Sequence, residues 1–100
     1  MGRMRKLSDV ERAAERTNIF EAASRGTLTV ADAVRRMRQV TGLTQPEFAR
    51  RVAGISTGAL AQIESGRGNP TVRTLTRIGR AFGLEVGFIR RRVPSGSQTT

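Results

Sequence analysis

Small and hydrogen-bonding side chains recur along one side of a short apolar segment: Thr57, Gly58, Ala61 and Gln62. At the spacing of an α-helix they share one face, opposite Leu60. Glutamine can read an adenine through two hydrogen bonds, and threonine or alanine methyl groups suit the methyl group of thymine. Thr57 and Gln62 are thus the only side chains of this face that can hydrogen-bond base edges well. Because the other residues are small, we expect specificity to depend also on close backbone approach, water and DNA shape. The alternative is a helix that barely reads sequence.

This segment is predicted to start at an N-cap and to follow a second capped helix. Ser56 is placed to cap it. Thr44, with Glu47 three residues later, forms a capping box, and Pro46 occupies a first turn, where a missing N–H costs nothing. Only residues 53–55 separate the two helices. Two helices joined by so tight a turn form a helix-turn-helix, a unit that places its second helix in the DNA major groove.

The charge balance favours a polyanionic partner. The chain has 18 basic and 8 acidic residues, a formal charge of +10. Residues 30–83, which include both capped helices, carry a net +6, whereas residues 1–29 and 84–100 carry +2 each. A surface that binds nucleic acid requires such an excess. The competing explanation is compositional, since 17 of the basic residues are arginine, as a GC-rich genome would also produce.

The residue types that the chain lacks exclude several kinds of chemistry. There is no cysteine and no histidine, which excludes disulfides, metal sites built on these ligands, and Ser-His or Cys-His catalysis. We therefore expect neither an enzyme nor a cofactor or metal. No apolar run approaches the roughly 20 residues that span a bilayer, and no hydrophobic signal segment begins the chain. A cytoplasmic protein is the expectation.

Apolar residues at the helical period, together with caps and glycine stops, predict five helices. The first is amphipathic and is expected to dock on the domain or on a partner chain. On the second and last helices Arg35, Arg38 and Arg73 are expected to face either flanking phosphates or solvent. The predicted helices cover residues 9–25 after a Ser8 cap, the segment between a Thr29 cap and a Gly42 stop, residues 45–52, residues 57–65, and the segment between a Thr71 cap and a Gly83 stop.

The period then changes to two, which predicts a short strand. Leu84, Val86 and Phe88 alternate with other residues within 84–92. A lone strand cannot satisfy its own backbone groups, and a chain of this length buries only about 60–65% of its surface on folding. We therefore expect the same strand of a second molecule to pair with it about a two-fold axis. The alternative is that these apolar residues cover the monomer's own core.

The chain is thus expected to divide into four parts. Residues 1–28 form a basic arm and an amphipathic helix, and residues 29–83 form the helix-turn-helix DNA-binding domain. Residues 84–92 form the dimerisation strand, and residues 93–100 a disordered tail. Within the domain, Glu64 lies at the edge of the apolar face, and we interpret it as structural, in an ion pair with Arg50 or Arg38, rather than catalytic.

Residues 30 to about 83 resemble the Cro/lambda-repressor (Xre) helix-turn-helix domains of prokaryotic transcription regulators. The resemblance implies an all-α, four- to five-helix lambda-repressor-like fold, here with an extra N-terminal helix and a short C-terminal β-strand. It rests on Gly42-Leu43-Thr44-Gln45, Phe48-Ala49, Ile55-Ser56, Leu60 with Ile63-Glu64-Ser65-Gly66-Arg67-Gly68-Asn69-Pro70, and Leu75 with Ile78-Gly79-Arg80-Ala81-Phe82-Gly83.

The resemblance also assigns site residues. It places Gln45 near a phosphate and the recognition helix, and it matches Arg67 and Asn69 to phosphate-contacting positions in the loop after that helix. Glycines on both sides of Arg67 are expected to let backbone N–H groups approach the DNA as well. The candidate DNA-binding residues are Gln45, Ser56, Thr57, Gly58, Ala61, Gln62, Arg67 and Asn69.

The function that the resemblance implies is a homodimeric repressor, or autorepressor, of a palindromic operator, nucleoid-associated when bound to DNA. Relatives usually add a fifth helix where this chain offers a strand. In this respect the chain is similar to small repressor-antitoxins whose C-terminal strands pair in a dimer. The alternative function is therefore that of an antitoxin that binds and neutralises a protein toxin. RNA binding fits the charge, but the only aromatic residues available for stacking are four phenylalanines.

Overall fold

Each helix of the structure begins at a serine or threonine whose side chain caps it. The computed structural model describes residues 6–90, and in each of its five helices the cap oxygen accepts a backbone N–H from three residues further on. All the predicted caps are confirmed, namely Ser8, Thr29, Thr44, Ser56 and Thr71. The helices are α1 (Asp9–Ser24), α2 (Val30–Thr41), α3 (Gln45–Phe48), α4 (Thr57–Glu64) and α5 (Val72–Arg80).

The helix predicted for residues 45–52 has the expected extent but not a uniform geometry. Its α-helical part ends at Phe48, and Ala49–Ala53 forms a π-helical turn. Gly54 follows with a φ of 71°, in the left-handed region that favours glycine. A π-helical turn accommodates one more residue than an α-helical turn. The 3.6-residue period therefore does not describe the last turn of this segment before α4.

The prediction of a strand is wrong for its described part, because Leu84 to Arg90 has no regular secondary structure. The Leu84 N–H donates to the Gly79 carbonyl at 2.9 Å, and the Leu84 side chain packs on the core. A strand requires the backbone groups of a neighbouring strand, and residues 6–90 contain none. The remaining strand residues, the tail 93–100 and most of the N-terminal arm lie outside the described residues.

The core lies where α1, α2, α4 and the segment after Thr44 meet. Its largest fully buried side chains are Phe48, Ile19, Leu60, Val34 and Val40. Each of these helices contributes an apolar stripe, as an amphipathic helix in a small domain does, and the buried charged residues are Arg38 of α2 and Glu64 of α4. No helix within residues 6–90 combines the length and the hydrophobicity needed to cross a membrane.

The first helix, α1, docks on the domain itself. Ile19 has no exposed surface. The Arg36 Nε donates to a Glu15 carboxylate oxygen at 2.6 Å, which joins α2 to α1. That hydrogen bond is the main reason that the pKa of Arg36 is raised above its usual value. The Arg16 guanidinium lies over the Phe82 ring, 5.8 Å from its centroid, and extends the contact of α1 to the turn after α5.

Candidate nucleic-acid interface

The polar face of α4 lies at the surface. Thr57, Gly58 and Gln62 are exposed and Ala61 is half-buried, whereas Leu60 is fully buried. The Thr57 and Gln62 side chains make no hydrogen bond with any other described residue. The structure thus places the four predicted base-reading residues on one open helix face, with the polar groups of two side chains available to a ligand.

The first turn of α4 exposes its backbone. A Cβ atom placed on Gly58 would meet no atom within 4 Å. Ser56 is exposed too, but its Oγ accepts the Ala59 N–H at 3.1 Å, so its side chain acts as the helix cap. The N–H groups of Thr57 and Gly58 have no partner inside the helix, as at any helix start. This end of α4 can therefore lie close to an anion such as a phosphate.

The loop after α4 folds back onto that helix. The N–H groups of Arg67 and Gly68 both donate to the Gln62 carbonyl at 2.9 Å. A Cβ on Gly68 would lie 2.8 Å from the Ile63 backbone nitrogen, so only glycine fits this close approach. The expectation that these two amides approach DNA is wrong, because their hydrogen bonds lie inside the protein. Their role is to anchor the loop.

The anchored loop presents two polar side chains to solvent. Arg67 and Asn69 are exposed, and neither side chain makes a hydrogen bond or an ion pair with another described residue. Because the Arg67 backbone is bound to Gln62, the Arg67 side chain starts next to the polar face of α4. The structure thus brings the loop residues and the helix face together on one side of the domain.

Gln45, at the first position of α3, contacts the protein through its amide. Its Nε2 donates to a Glu64 carboxylate oxygen at 2.9 Å, which links the start of α3 to the end of α4. This bond fixes the amide plane, and the Nε2 group is held on the protein side. The predicted phosphate or base contact of Gln45 stays a prediction.

Glu64 is the centre of a buried polar cluster. It is 6% exposed and accepts two hydrogen bonds from Arg38, at 2.8 Å from Nε and 3.0 Å from Nη2. Of the two arginines predicted as ion-pair partners, the structure confirms Arg38. Arg38 is itself 7% exposed, so the idea that it contacts a phosphate is wrong. A buried pair with this two-point geometry holds α2, α3 and α4 in one arrangement.

Arg35 and Arg77 bind backbone carbonyls in contacts that the sequence did not predict. The Arg35 Nη1 donates to the Glu64 carbonyl at 2.6 Å, at the C-terminal end of α4. The Arg77 Nε donates to the Val52 carbonyl at 2.9 Å. A Cβ on Gly54 would lie 2.7 Å from the Arg77 Nη1, so the glycine makes room for this guanidinium. Both acceptors are main-chain atoms, whose presence no residue type signals.

The electrostatics of the α3 start depend on a hydrogen bond more than on charge. The Thr44 N–H donates to a Glu47 carboxylate oxygen at 2.9 Å. This bond, more than the nearby Arg51 and Arg50 charges, lowers the pKa of Glu47 below its usual value. Within residues 6–90, no three residues of the metal-binding types (His, Cys, Asp or Glu) lie close enough to hold a metal ion.

The three residues predicted to form a dimer interface differ in their surroundings. Leu84 is half-buried against the core, as the alternative interpretation expected. Val86 and Phe88 are exposed, and so is the neighbouring Ile89. Within this segment three neighbouring apolar side chains thus stay open in the single chain, whereas the other exposed large apolar residues, Val10, Phe20, Val30 and Val72, lie on the helices.

Comparison with known families agrees with this geometry. The family model of a helix-turn-helix domain matches residues 29–87, more than half of the chain. The chain therefore belongs to the helix-turn-helix domain family, with which its resemblance to the Cro/lambda-repressor (Xre) group is consistent. All the candidate DNA-binding residues lie within the matched segment.

One relative carries a description of its role. It is the uncharacterised HTH-type transcriptional regulator y4dJ of Sinorhizobium fredii (strain NBRC 101917 / NGR234), and 45% of the residues are identical over 49 aligned positions. The aligned segment covers 49% of this chain and 62% of the relative, which is less than two thirds of the relative's length. No solved structure matches the chain significantly.

Proposed function

We propose that the protein is a sequence-specific DNA-binding transcription regulator. The observation that carries the proposal is the open face of α4, where Thr57 and Gln62 have no partner in the described chain and Gly58 leaves the backbone bare. In a helix-turn-helix, this face enters the major groove and reads base edges. Membership of the helix-turn-helix family and similarity to a relative described as a transcriptional regulator support the same role.

The regulator acts as a homodimeric repressor. Val86, Phe88 and Ile89 are exposed in the single chain, and a second copy would remove their apolar surface from water. Two copies related by a two-fold axis would place their α4 helices in successive major grooves, about 34 Å apart, and would read a palindromic operator. A dimer seated on promoter DNA would repress by blocking polymerase.

The second candidate function is that of an antitoxin which binds and neutralises a protein toxin. The same exposed apolar residues favour it, because they suit a foreign protein as well as a second copy. The two functions are compatible in one protein. The composition of the purified complex distinguishes the two functions. A repressor purifies as a dimer of this chain alone, whereas an antitoxin purifies with a stoichiometric protein partner when the neighbouring gene is co-expressed.

Selection from fragmented genomic DNA at near-physiological salt tests the first candidate. Purified protein is mixed with the fragments, and the retained DNA is sequenced. Recovery of an inverted repeat with half-sites one helical turn apart supports a dimeric, sequence-specific regulator. Retention of fragments with no shared sequence contradicts base reading by α4.

Light scattering on Phe88→Ser tests the dimer. The variant is expected to be monomeric at concentrations where the wild type is dimeric. Val72→Ser is the control, because Val72 is also an exposed apolar residue but lies on α5. It should leave the dimer intact. A Phe88→Ser variant that remains dimeric contradicts the role of this segment.

A further inference from the structure

The basic residues of α5 form a stripe that the base-reading face does not use. Arg73, Arg77 and Arg80 are spaced at i, i+4 and i+7, so they share one side of the helix, and all three are exposed. We call them the α5 arginine stripe. The opposite side of α5 carries Ile78, which is buried in the core.

No carboxylate near the stripe in sequence neutralises it. The chain has no acidic residue between Glu64 and Glu85, and Glu64 is occupied by Arg38. Arg73 and Arg80 make no hydrogen bond or ion pair with any other described residue. The stripe therefore presents uncompensated charge.

Helix stability does not explain the first member of the stripe. Arg77 and Arg80 lie in the last turn of α5, where cations interact favourably with the helix dipole. Arg73 lies in the first turn, where a cation is unfavourable and an acidic residue would be stabilising. That turn holds no acidic residue. The arginine at this position thus adds no helix stability, and its charge is available to a ligand with negative charge.

Arg77 is already held in place. Its Nε donates to the Val52 carbonyl at 2.9 Å, and Gly54 makes room for its guanidinium next to the turn before α4. A side chain fixed before binding loses less conformational entropy when it contacts a ligand. The middle of the stripe is thus preorganised beside the helix-turn-helix turn.

The start of α5 lies beside the loop after α4. Gln62, Arg67 and Asn69 line one groove with Thr71 and Thr74, which flank Arg73. From Arg73 to Arg80 the helix rises by about 10 Å, which corresponds to roughly three base-pair steps along the DNA axis.

We propose that the α5 arginine stripe binds DNA phosphates flanking the base pairs that α4 reads, so that the interface continues from the Arg67 loop onto α5. This inference rests on the proposed function. Phosphate oxygens accept hydrogen bonds from guanidinium groups in a two-point geometry. The stripe adds affinity and register to binding, and it adds no base preference.

The salt dependence of binding to a 30-base-pair duplex of mixed sequence tests the inference on the full chain. The variant is Arg73→Gln/Arg80→Gln, which leaves Arg77 and its structural contact intact. Each lost phosphate contact lowers the slope of log K against log salt by about 0.9, so the slope should fall by about two units. Affinity should fall about tenfold per contact at 0.1 M salt. Arg16→Gln/Arg25→Gln, with the same charge change on the α1 side, should keep the wild-type slope; because Arg16 lies over the Phe82 ring, its Tm is measured first to show that this control is folded.

Stability and conservative substitution separate binding from a structural role. Arg73→Gln should leave Tm unchanged or raise it, because an unfavourable charge is removed from a helix start. Arg73→Lys should retain the wild-type slope, since lysine also neutralises a phosphate. A lower Tm for Arg73→Gln together with an unchanged slope would make Arg73 structural and overturn the inference.

The outcomes distinguish a failure of the proposed function from a failure of this inference. Absence of binding to any duplex by the wild type overturns the proposed function itself. Wild-type binding with equal slopes for the stripe variant and the control overturns only this inference. If the stripe variant instead loses binding to polyglutamate while its DNA slope is unchanged, the stripe serves an acidic protein, which also overturns the inference.

Discussion

The arginines of the α1–α2 half and those of the α3–α5 half have different partners. In the first half, guanidinium groups bind carboxylates or carbonyls of the protein: Arg12, Arg35, Arg36 and Arg38. In the second half, several make no hydrogen bond or ion pair with any other described residue: Arg50, Arg51, Arg67, Arg73 and Arg80. Five of the eight acidic residues lie in α1 and α2, and Glu64 of α4 binds Arg38 of α2, so few carboxylates are left for the arginines of α3–α5.

The difference shows that net charge alone says little about where a polyanion binds. The paired arginines hold helices together and contribute little free charge. The unpaired ones repel each other and destabilise the fold slightly, and one of them, Arg67, lines the same groove as Gln62 of α4. The uncompensated arginine charge of the described residues is therefore concentrated on the α3–α5 half.

The largest expected effect is a loss of stability when the buried ion pair of Arg38 and Glu64 is broken. Glu64→Ala leaves the Arg38 guanidinium buried without its partner, which should cost about 3–5 kcal/mol of unfolding free energy. Denaturant titration measures the loss. Asp32→Asn, which removes two partly exposed ion pairs of α2, with Arg35 and Arg36, should cost about 1 kcal/mol or less. Equal small losses for the two variants would show that the buried cluster is not special.

The next effect concerns base reading in the unpaired half. Gln62→Ala should relax the preference at one base position of the selected operator by about 1–3 kcal/mol. Competition with duplexes substituted at single positions measures it. An equal loss of affinity for operator and for random DNA would contradict the role of Gln62 in specificity.

Arg67→Ala tests an unpaired arginine. It should weaken binding to all duplexes similarly and lower the salt slope by about one unit. Because the Arg67 side chain has no partner in the described chain, unfolding free energy should hardly change. An unchanged salt slope would exclude Arg67 as a phosphate contact.

Arg36→Gln is the matched test of a paired arginine, with the opposite expectation. Its bond to Glu15 joins α1 and α2, so its loss should lower unfolding free energy by about 1 kcal/mol. The salt slope for DNA should stay at the wild-type value. If the slope falls as it does for Arg67→Ala, the division between the two halves is wrong.

The smallest effect is a pH dependence at the start of α3. The folded-state pKa of Glu47 lies below its ordinary value of 4.5. Its contribution to stability is therefore complete above that value and is lost as the pH falls through the folded pKa. Glu47→Gln should remove a small part of the acid sensitivity, measurable as a flatter dependence of Tm on pH below about 4.5. A pH profile identical to that of the wild type would contradict this.

The starts of the helices could be predicted because a cap is a local signal. A serine or threonine and the N–H three residues later are close in sequence, and Ser56 with Ala59 illustrates the rule. The base-reading face could be predicted for the same reason, since the residues of α4 lie within two helical turns. The pairing of Glu64 with Arg38 required one further step, the matching of a buried carboxylate to an arginine on another helix.

The remaining features depend on distance or on the main chain. Arg35 binds a carbonyl 29 residues away and Arg77 one 25 residues away, and main-chain acceptors carry no residue signature. The π-helical turn at Ala49–Ala53 is too short to produce a repeating pattern of apolar residues in the sequence. The strand prediction failed because alternation shows which residues suit a strand, but not whether a neighbour exists.

The fully buried position of Ile19 has a consequence for the boundaries of the domain. The segment shared with the family is residues 29–87, yet Ile19 of α1 belongs to the same core as Phe48 and Leu60. A fragment that begins at residue 29 would have a solvent-exposed cavity in place of the Ile19 side chain. It would also lose the Glu15 carboxylate that Arg36 binds. The unit that recurs among relatives is therefore smaller than the unit that folds. A fusion protein that uses the helix-turn-helix of this chain therefore needs to include α1.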